Sequence, residues 1–165
     1  MRAIVVYESH WGNTAAIARA IAEGIGPEAR ALSTAEAVGP AIAGADLIVA
    51  GAPLLGFRLP TEDMLKSMAA SAGRGGAPPD LSHPSLRSWL AALPKGDASV
   101  AAFETRLWWS PGSAAKAILR ALELAGYRPI AKPQRFTVRG RSGPLRGGEV
   151  ERARAWGAEL ARLVK

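Results

Sequence analysis

The feature that most constrains this chain is its opening. A short, β-branched, uninterrupted apolar run, Arg2-Ala-Ile-Val-Val-Tyr7, leads through one loop, Glu8 to Thr14, directly into a helical stripe. A strand that is apolar at every position is covered on both faces, as in a parallel sheet. From Thr14 to Gly24 the residues Ile17, Ala18, Ile21 and Ala22 share one helical face, and Gly24, Gly26 and Pro27 supply the stop. A central parallel strand followed at once by a crossover helix predicts an α/β fold.

The rest of the chain continues the alternation. Ala29 to Leu32 reads as a weak strand and Asp46 to Ala50 as a strong one, closed by Gly51. Residues 61 to 71 read as a helix with Thr61 as N-cap and Glu62 and Asp63 in the first turn, where the helix dipole favours acids. Gly73 to Pro84 is Gly- and Pro-rich surface loop, followed by a short helix from Ser85 to Leu93. Ser99 to Phe103 is the fourth strand, and Gly112 to Ala125 a helix with Ala115, Ile118, Leu119 and Leu122 on one stripe. A fifth strand falls between Tyr127 and Val138, and Val150, Ala153, Trp156, Leu160 and Leu163 mark a last helix over about 148–164. With 165 residues, 48% of them hydrophobic, there is room for one sizeable core, so the expectation is a single domain over 1–165. Trp156 and Trp89 read as core.

Zero cysteines exclude disulfides, thiolate metal sites and a cysteine nucleophile, and with only His10 and His83 a multi-histidine metal site is not expected. No paired acid and base or activated nucleophile suggests hydrolysis. The apolar run after Arg2 is too short for a signal peptide, and no long apolar stretch would insert in a membrane, so the expected location is cytoplasmic. The formal net charge is +7. Residues 1–127 carry eleven Lys and Arg against eleven Asp and Glu, and residues 128–165 ten against three, so the surplus is C-terminal. Arg135, Arg139, Arg141 and Arg146 cluster in and around a Gly-rich loop with no RNA- or DNA-binding motif, which favours an acidic protein partner over nucleic acid.

In open α/β sheets ligands bind beyond the carboxyl ends of the strands. The first such loop, Glu8-Ser-His-Trp-Gly-Asn-Thr14, offers backbone amides from about His10 to Thr14 and the hydroxyls of Ser9 and Thr14, a cradle suited to phosphate at a helix N-terminus. It matches neither the P-loop nor the G-x-G-x-x-G fingerprint, which disfavours ATP and NAD. Alone, Ser9, Gly12, Asn13 and Thr14 also fit an ordinary strand-to-helix turn with Asn13 or Thr14 as N-cap. His10 is a lone loop histidine expected at the surface, with contact to phosphate or another part of a bound ligand as the alternative, and His83 is expected to face solvent.

The segment Tyr7-Glu-Ser-His-Trp-Gly-Asn-Thr14 after a first buried strand resembles the phosphate loop of flavodoxins and flavodoxin-like FMN proteins. Gly51-Ala-Pro-Leu-Leu-Gly56-Phe57 follows the third strand where that family has its second flavin loop. Phe103-Glu-Thr-Arg-Leu-Trp-Trp109, with Gly112, stands where it has the third. The resemblance covers essentially the whole chain. It implies a five-stranded parallel sheet in order 2-1-3-4-5, doubly wound and three-layered, that binds FMN without a covalent link. The residues it implies as cofactor contacts are Ser9, His10, Trp11, Gly12, Asn13 and Thr14; Ala52, Pro53, Leu54, Leu55, Gly56 and Phe57; and Glu104, Thr105, Arg106, Trp108, Trp109 and Gly112. Gly143 to Glu149 and Glu151 to Gly157 also resemble the ends of flavodoxin-domain proteins from high-GC bacteria.

The chain departs from the family at Trp11, where many members have a third hydroxyl, so the backbone amides carry more of the phosphate. The rings available to flank a flavin are Phe57 on one side and Trp108 or Trp109 on the other, with Leu55 a possible substitute. Arg106 stands where the electron carriers tend to be acidic; beside the flavin N1 and O2 edge it would favour the reduced anion and raise the potential. Three functions follow: an FMN electron carrier serving a partner enzyme; an FMN-dependent dehydrogenase, protoporphyrinogen- or quinone-linked, with the 72–84 loop shaping its pocket; or a cofactor-less interaction module.

Overall fold

The computed structural model describes residues 1–71 and 77–164. The opening apolar run forms β1 (Ala3–Tyr7), which pairs in parallel with β2 (Ala29–Ser33) on one side and β3 (Leu47–Pro53) on the other, Ala3 lying opposite both Ala29 and Leu47. β4 (Ser99–Leu107) extends the sheet beyond β3, and β5 (Arg128–Pro129) and β6 (Gln134–Val138) share its far edge. The order is β2-β1-β3-β4-β5, the doubly wound parallel sheet expected, with β6 prolonging the fifth position. That position is not one continuous strand. Pro129 faces Val100 and Gln134 faces Phe103, so four residues (130–133) run beside two of β4 (101 and 102). Pro129 and Pro133 bring no N–H to a ladder, and the chain bulges between them.

Successive β1 side chains go to opposite faces, as strand geometry requires. Ile4 and Val6 join Ile48, Ala50, Leu86, Trp89, Ile118 and Leu122 beneath α2 (Gly39–Ile42), α4 (Leu86–Ala92) and α5 (Ala114–Leu124). Ala3 and Val5 join Val49, Phe103, Ile17, Ile21, Trp156 and Leu160 beneath α1 (Asn13–Ile25) and α6 (Glu149–Leu163). Trp156 and Trp89 are both buried, and the Trp89 indole N–H donates to Ala37 O at 2.6 Å. Two glycines let α1 and α6 touch backbone to backbone: a Cβ on Gly24 would stand 1.9 Å from Arg154 O, and one on Gly157 2.2 Å from Ile21 O.

Hydroxyl caps set the starts of the middle helices. Thr61 accepts from Met64 N at the head of α3 (Glu62–Ala70), Ser85 from Ser88 N at α4, and Ser113 from Lys116 N at α5. The four-residue α2 has too little length for a periodic signal and was not anticipated. Of the expected 73–84 loop, residues 73–76 fall outside the described set. No helix among the described residues is long and apolar enough to cross a membrane.

A cleft at the carboxyl ends of β1, β3 and β4

All three chemistry-bearing loops open onto one cleft of about 770 Å³, within the range of small-molecule sites. Ser9, His10, Trp11, Asn13 and Thr14 line it from the first loop, Pro53, Leu54, Leu55, Gly56 and Phe57 from the second, and Thr105, Arg106 and Trp109 from the third. Gly12, Ala52, Glu104, Trp108 and Gly112 do not. Ala52 faces the core, and Gly112 packs so closely that a Cβ would stand 2.1 Å from Phe57 O. Sequence reasoning missed one whole wall, Asp63, Met64, Ser67, Met68 and Ser71 of α3 and its end, together with Leu107 and Ser110 beside the third loop, Val138 at the end of β6 and Arg141 beyond it. The amphipathic pattern of α3 could have identified an inward face, but not what that face looks onto.

The first loop turns into α1 through Gly12 (φ 89°), which takes the N-cap position expected for Asn13 or Thr14. No side chain caps this helix, so the amides of its first turn and the positive end of its dipole are turned to the cleft. The two hydroxyls brace the loop: Ser9 Oγ accepts from Gly12 N at 3.2 Å, and Thr14 Oγ1 lies 2.8 Å from Thr105 Oγ1, linking first and third loops.

His10 is not at the surface but 3% exposed. Its Nε2 lies 2.6 Å from Glu8 Oε2 and its Nδ1 2.7 Å from Asp80 O. Two oxygen acceptors on one ring suit an imidazolium, with an N–H on each nitrogen, opposite the Glu8 carboxylate. Burial alone would lower the His10 pKa, but the hydrogen bonds to Glu8 and to Asp80 O, with the Glu8 charge, outweigh it and raise it above the ordinary histidine value. His83, expected in solvent, is half-buried and stacks on His10 with ring centroids 5.4 Å apart, and its Nε2 accepts from Ser9 N at 3.1 Å. Burial, then the neighbouring His10 charge, lower its pKa, keeping it a neutral acceptor. Both corrections have one cause: residues 77–86 fold over the first loop. Asp80 N donates to His10 O at 2.7 Å, the Trp11 indole to Ala77 O at 3.0 Å, and Leu86 N to Glu8 Oε1 at 2.6 Å.

The second loop is a two-residue hairpin. Leu55 and Arg58 exchange backbone hydrogen bonds of 3.0 and 3.1 Å around Gly56 (φ 54°) and Phe57 (φ 64°), the positive φ pair a type I′ turn requires. Phe57 accepts the left-handed conformation at the tip, about 1 kcal/mol of strain, and its ring stands edge to face with Trp109 at 6.4 Å. Trp108 points away into a second cleft with Thr137, Val138, Arg139 and Arg146. The third loop is shorter than expected because β4 runs on through Leu107 rather than ending at Phe103. Charged residues read as loop, yet Glu104 is fully buried, with the Arg106 guanidinium at 3.4 Å and the Ala114 amide donating at 2.7 Å. Arg106 also donates to Gly112 O at 2.9 Å. Glu104 therefore supports the site from behind.

This sheet order, with its cleft beyond β1, β3 and β4, is the flavodoxin fold. The chain is similar to an archaeal flavodoxin (TM-score 0.70, 23% identity, 99% of each chain covered) and to flavodoxin 1 from Bacillus cereus (0.66, 19%, 98% of each). It is similar also to a flavodiiron core from Synechocystis (0.65, 20%, 99% of this chain but 36% of the other). At these identities the likeness is one of fold. No protein-family model and no curated protein matches the sequence.

Proposed function

We propose that this chain is a single-domain FMN-binding redox protein that carries electrons to or from a partner enzyme. The observation that supports it is one cleft with two chemically different ends: uncapped helix amides at Asn13 and Thr14, and the Phe57 and Trp109 rings at the other. The residues present fit the cofactor. Free amides within 10–14 would hold the phosphate, Leu54, Leu55 and Met64 would exclude water from the ring system, and the edge-to-face pair of Phe57 and Trp109 would border it. Bound FMN supplies reversible one- and two-electron transfer. Arg106, its charge balanced by the buried Glu104 carboxylate, would border the flavin from β4 and hold the third loop closed through Gly112 O. Adding FMN to the purified protein is expected to quench flavin fluorescence; unquenched FMN defeats the reading.

The partner we favour presents an acidic docking face. Exposed Phe57 and Trp109 at the cleft mouth, with Trp108, Arg139 and Arg146 in the second cleft, combine aromatic anchors with positive charge. The second reading, an FMN-dependent dehydrogenase, draws on the α3 wall, where Met64 and Met68 stand beside Asp63, Ser67 and Ser71 as a surface a substrate could meet. Reduced protein reoxidised rapidly by a free quinone supports the enzyme, and reoxidation only by a protein acceptor supports the carrier.

A further inference from the structure

The Gly-rich segment after β6 folds back as a small hairpin. Arg146 N donates to Thr137 O and Arg139 N to Pro144 O, both at 2.9 Å, and Val138 bridges Leu145 antiparallel. At the tip Gly143 N donates to Gly140 O at 3.0 Å, closing a turn with Arg141 and Ser142 at its corners. This tip lies against the first loop: a Cβ on Gly143 would stand 2.7 Å from Asn13 Oδ1. The Arg141 guanidinium carbon sits 5.3 Å from the centroid of the Trp11 ring, over its face, and lines the same cleft as Ser9, Asn13 and Thr14. Trp11 is itself fixed by its indole bond to Ala77 O. Among the described residues no carboxylate pairs with Arg141.

A guanidinium held over a ring by cation–π attraction makes no hydrogen bond there, so its N–H groups remain available to a phosphate, which they can meet in two-point fashion. Of the loop's own hydroxyls, Thr14 shares a hydrogen bond with Thr105 and Ser9 accepts from Gly12 N while keeping its O–H to donate, and Trp11 brings none, so no cation from the loop itself meets a phosphate there. We infer that Arg141, presented by the 140–143 turn and held over Trp11, binds the terminal phosphate of the cleft's ligand and sets its preference for a phosphorylated over an unphosphorylated flavin. This rests on the flavin reading above. Trp11 is then the platform that positions the charge where a hydroxyl is missing.

The test is titration of the full chain with FMN and, separately, with riboflavin, following flavin fluorescence. Wild type is expected to bind FMN more tightly. Arg141→Gln raises the FMN dissociation constant about tenfold, the size of a lost charged hydrogen bond, and leaves riboflavin unchanged. Arg141→Lys keeps part of the preference, as a point charge without the stacked fork. Added salt narrows the FMN advantage of wild type more than that of Arg141→Gln. If Arg141→Gln keeps the wild-type preference, or weakens both flavins equally, the inference falls. If wild type binds both flavins alike, the flavin reading stands and the inference alone falls; if it binds neither, both fall.

Discussion

Two buried carboxylates support the cleft from opposite sides, and they are built alike. Glu8 follows β1 and Glu104 lies near the end of β4; each is fully buried, each accepts from the first amide of a later helix (Leu86 of α4, Ala114 of α5), and each meets a cation two residues on. Each thus ties a cleft loop to a helix far along the chain. They differ in that cation. One is a guanidinium, the other an imidazole that can lose its proton and has a second, neutral imidazole stacked against it. One support is permanent and the other responds to pH.

The largest effect is expected at the permanent one. Glu104→Leu leaves Arg106 buried without its carboxylate and should cost about 4 kcal/mol in urea denaturation, evenly between pH 6 and 9. A loss below about 1 kcal/mol, the range of an ordinary exposed pair, would show that the carboxylate does not hold α5. His10→Gln should cost about 2 kcal/mol near pH 6, with a definite pH dependence. A raised folded pKa means that the His10 contribution is fully present below the unfolded value, about 6.5, and is lost as pH rises through the folded value. The cost of the substitution should shrink toward alkaline pH, and a cost flat with pH would remove the imidazolium assignment. His83→Leu has the smallest effect, about 1 kcal/mol at neutral pH for the acceptor lost to Ser9 N. Its pH dependence runs the other way: a lowered folded pKa makes wild type lose stability as pH falls below the unfolded value. The variant's deficit should therefore diminish on acidification, and a deficit that grows would contradict the neutral His83.

The same contrast separates what could be read in the sequence from what could not. β1, α1, β3 and α5 announce themselves because apolar spacing and punctuation are local, and the three loops follow from strand ends. The end of β4 is not legible in sequence because Glu104 and Arg106 look like loop residues until their pairing is seen. His10 and His83 were placed in solvent because nothing local signals that residues 77–86 cover the first loop. Trp108 and Trp109 were inseparable by sequence, and only β4 running on to Leu107 decides which one meets Phe57. The basic surplus is C-terminal in sequence, yet the hairpin after β6 brings Arg141 of that region to Trp11 of the first loop.

The glycine contacts between α1 and α6 also bear on how the chain folds. The Ile17 and Ile21 face belongs to the core that Trp156 and Leu160 complete, and Arg154 pairs with Glu23 across 131 residues. Closing so long a loop is entropically slow. During synthesis α1 therefore waits, with its apolar face uncovered, until residues 149–163 emerge, and substitutions at Gly157 are expected to be felt first as aggregation of incomplete chains.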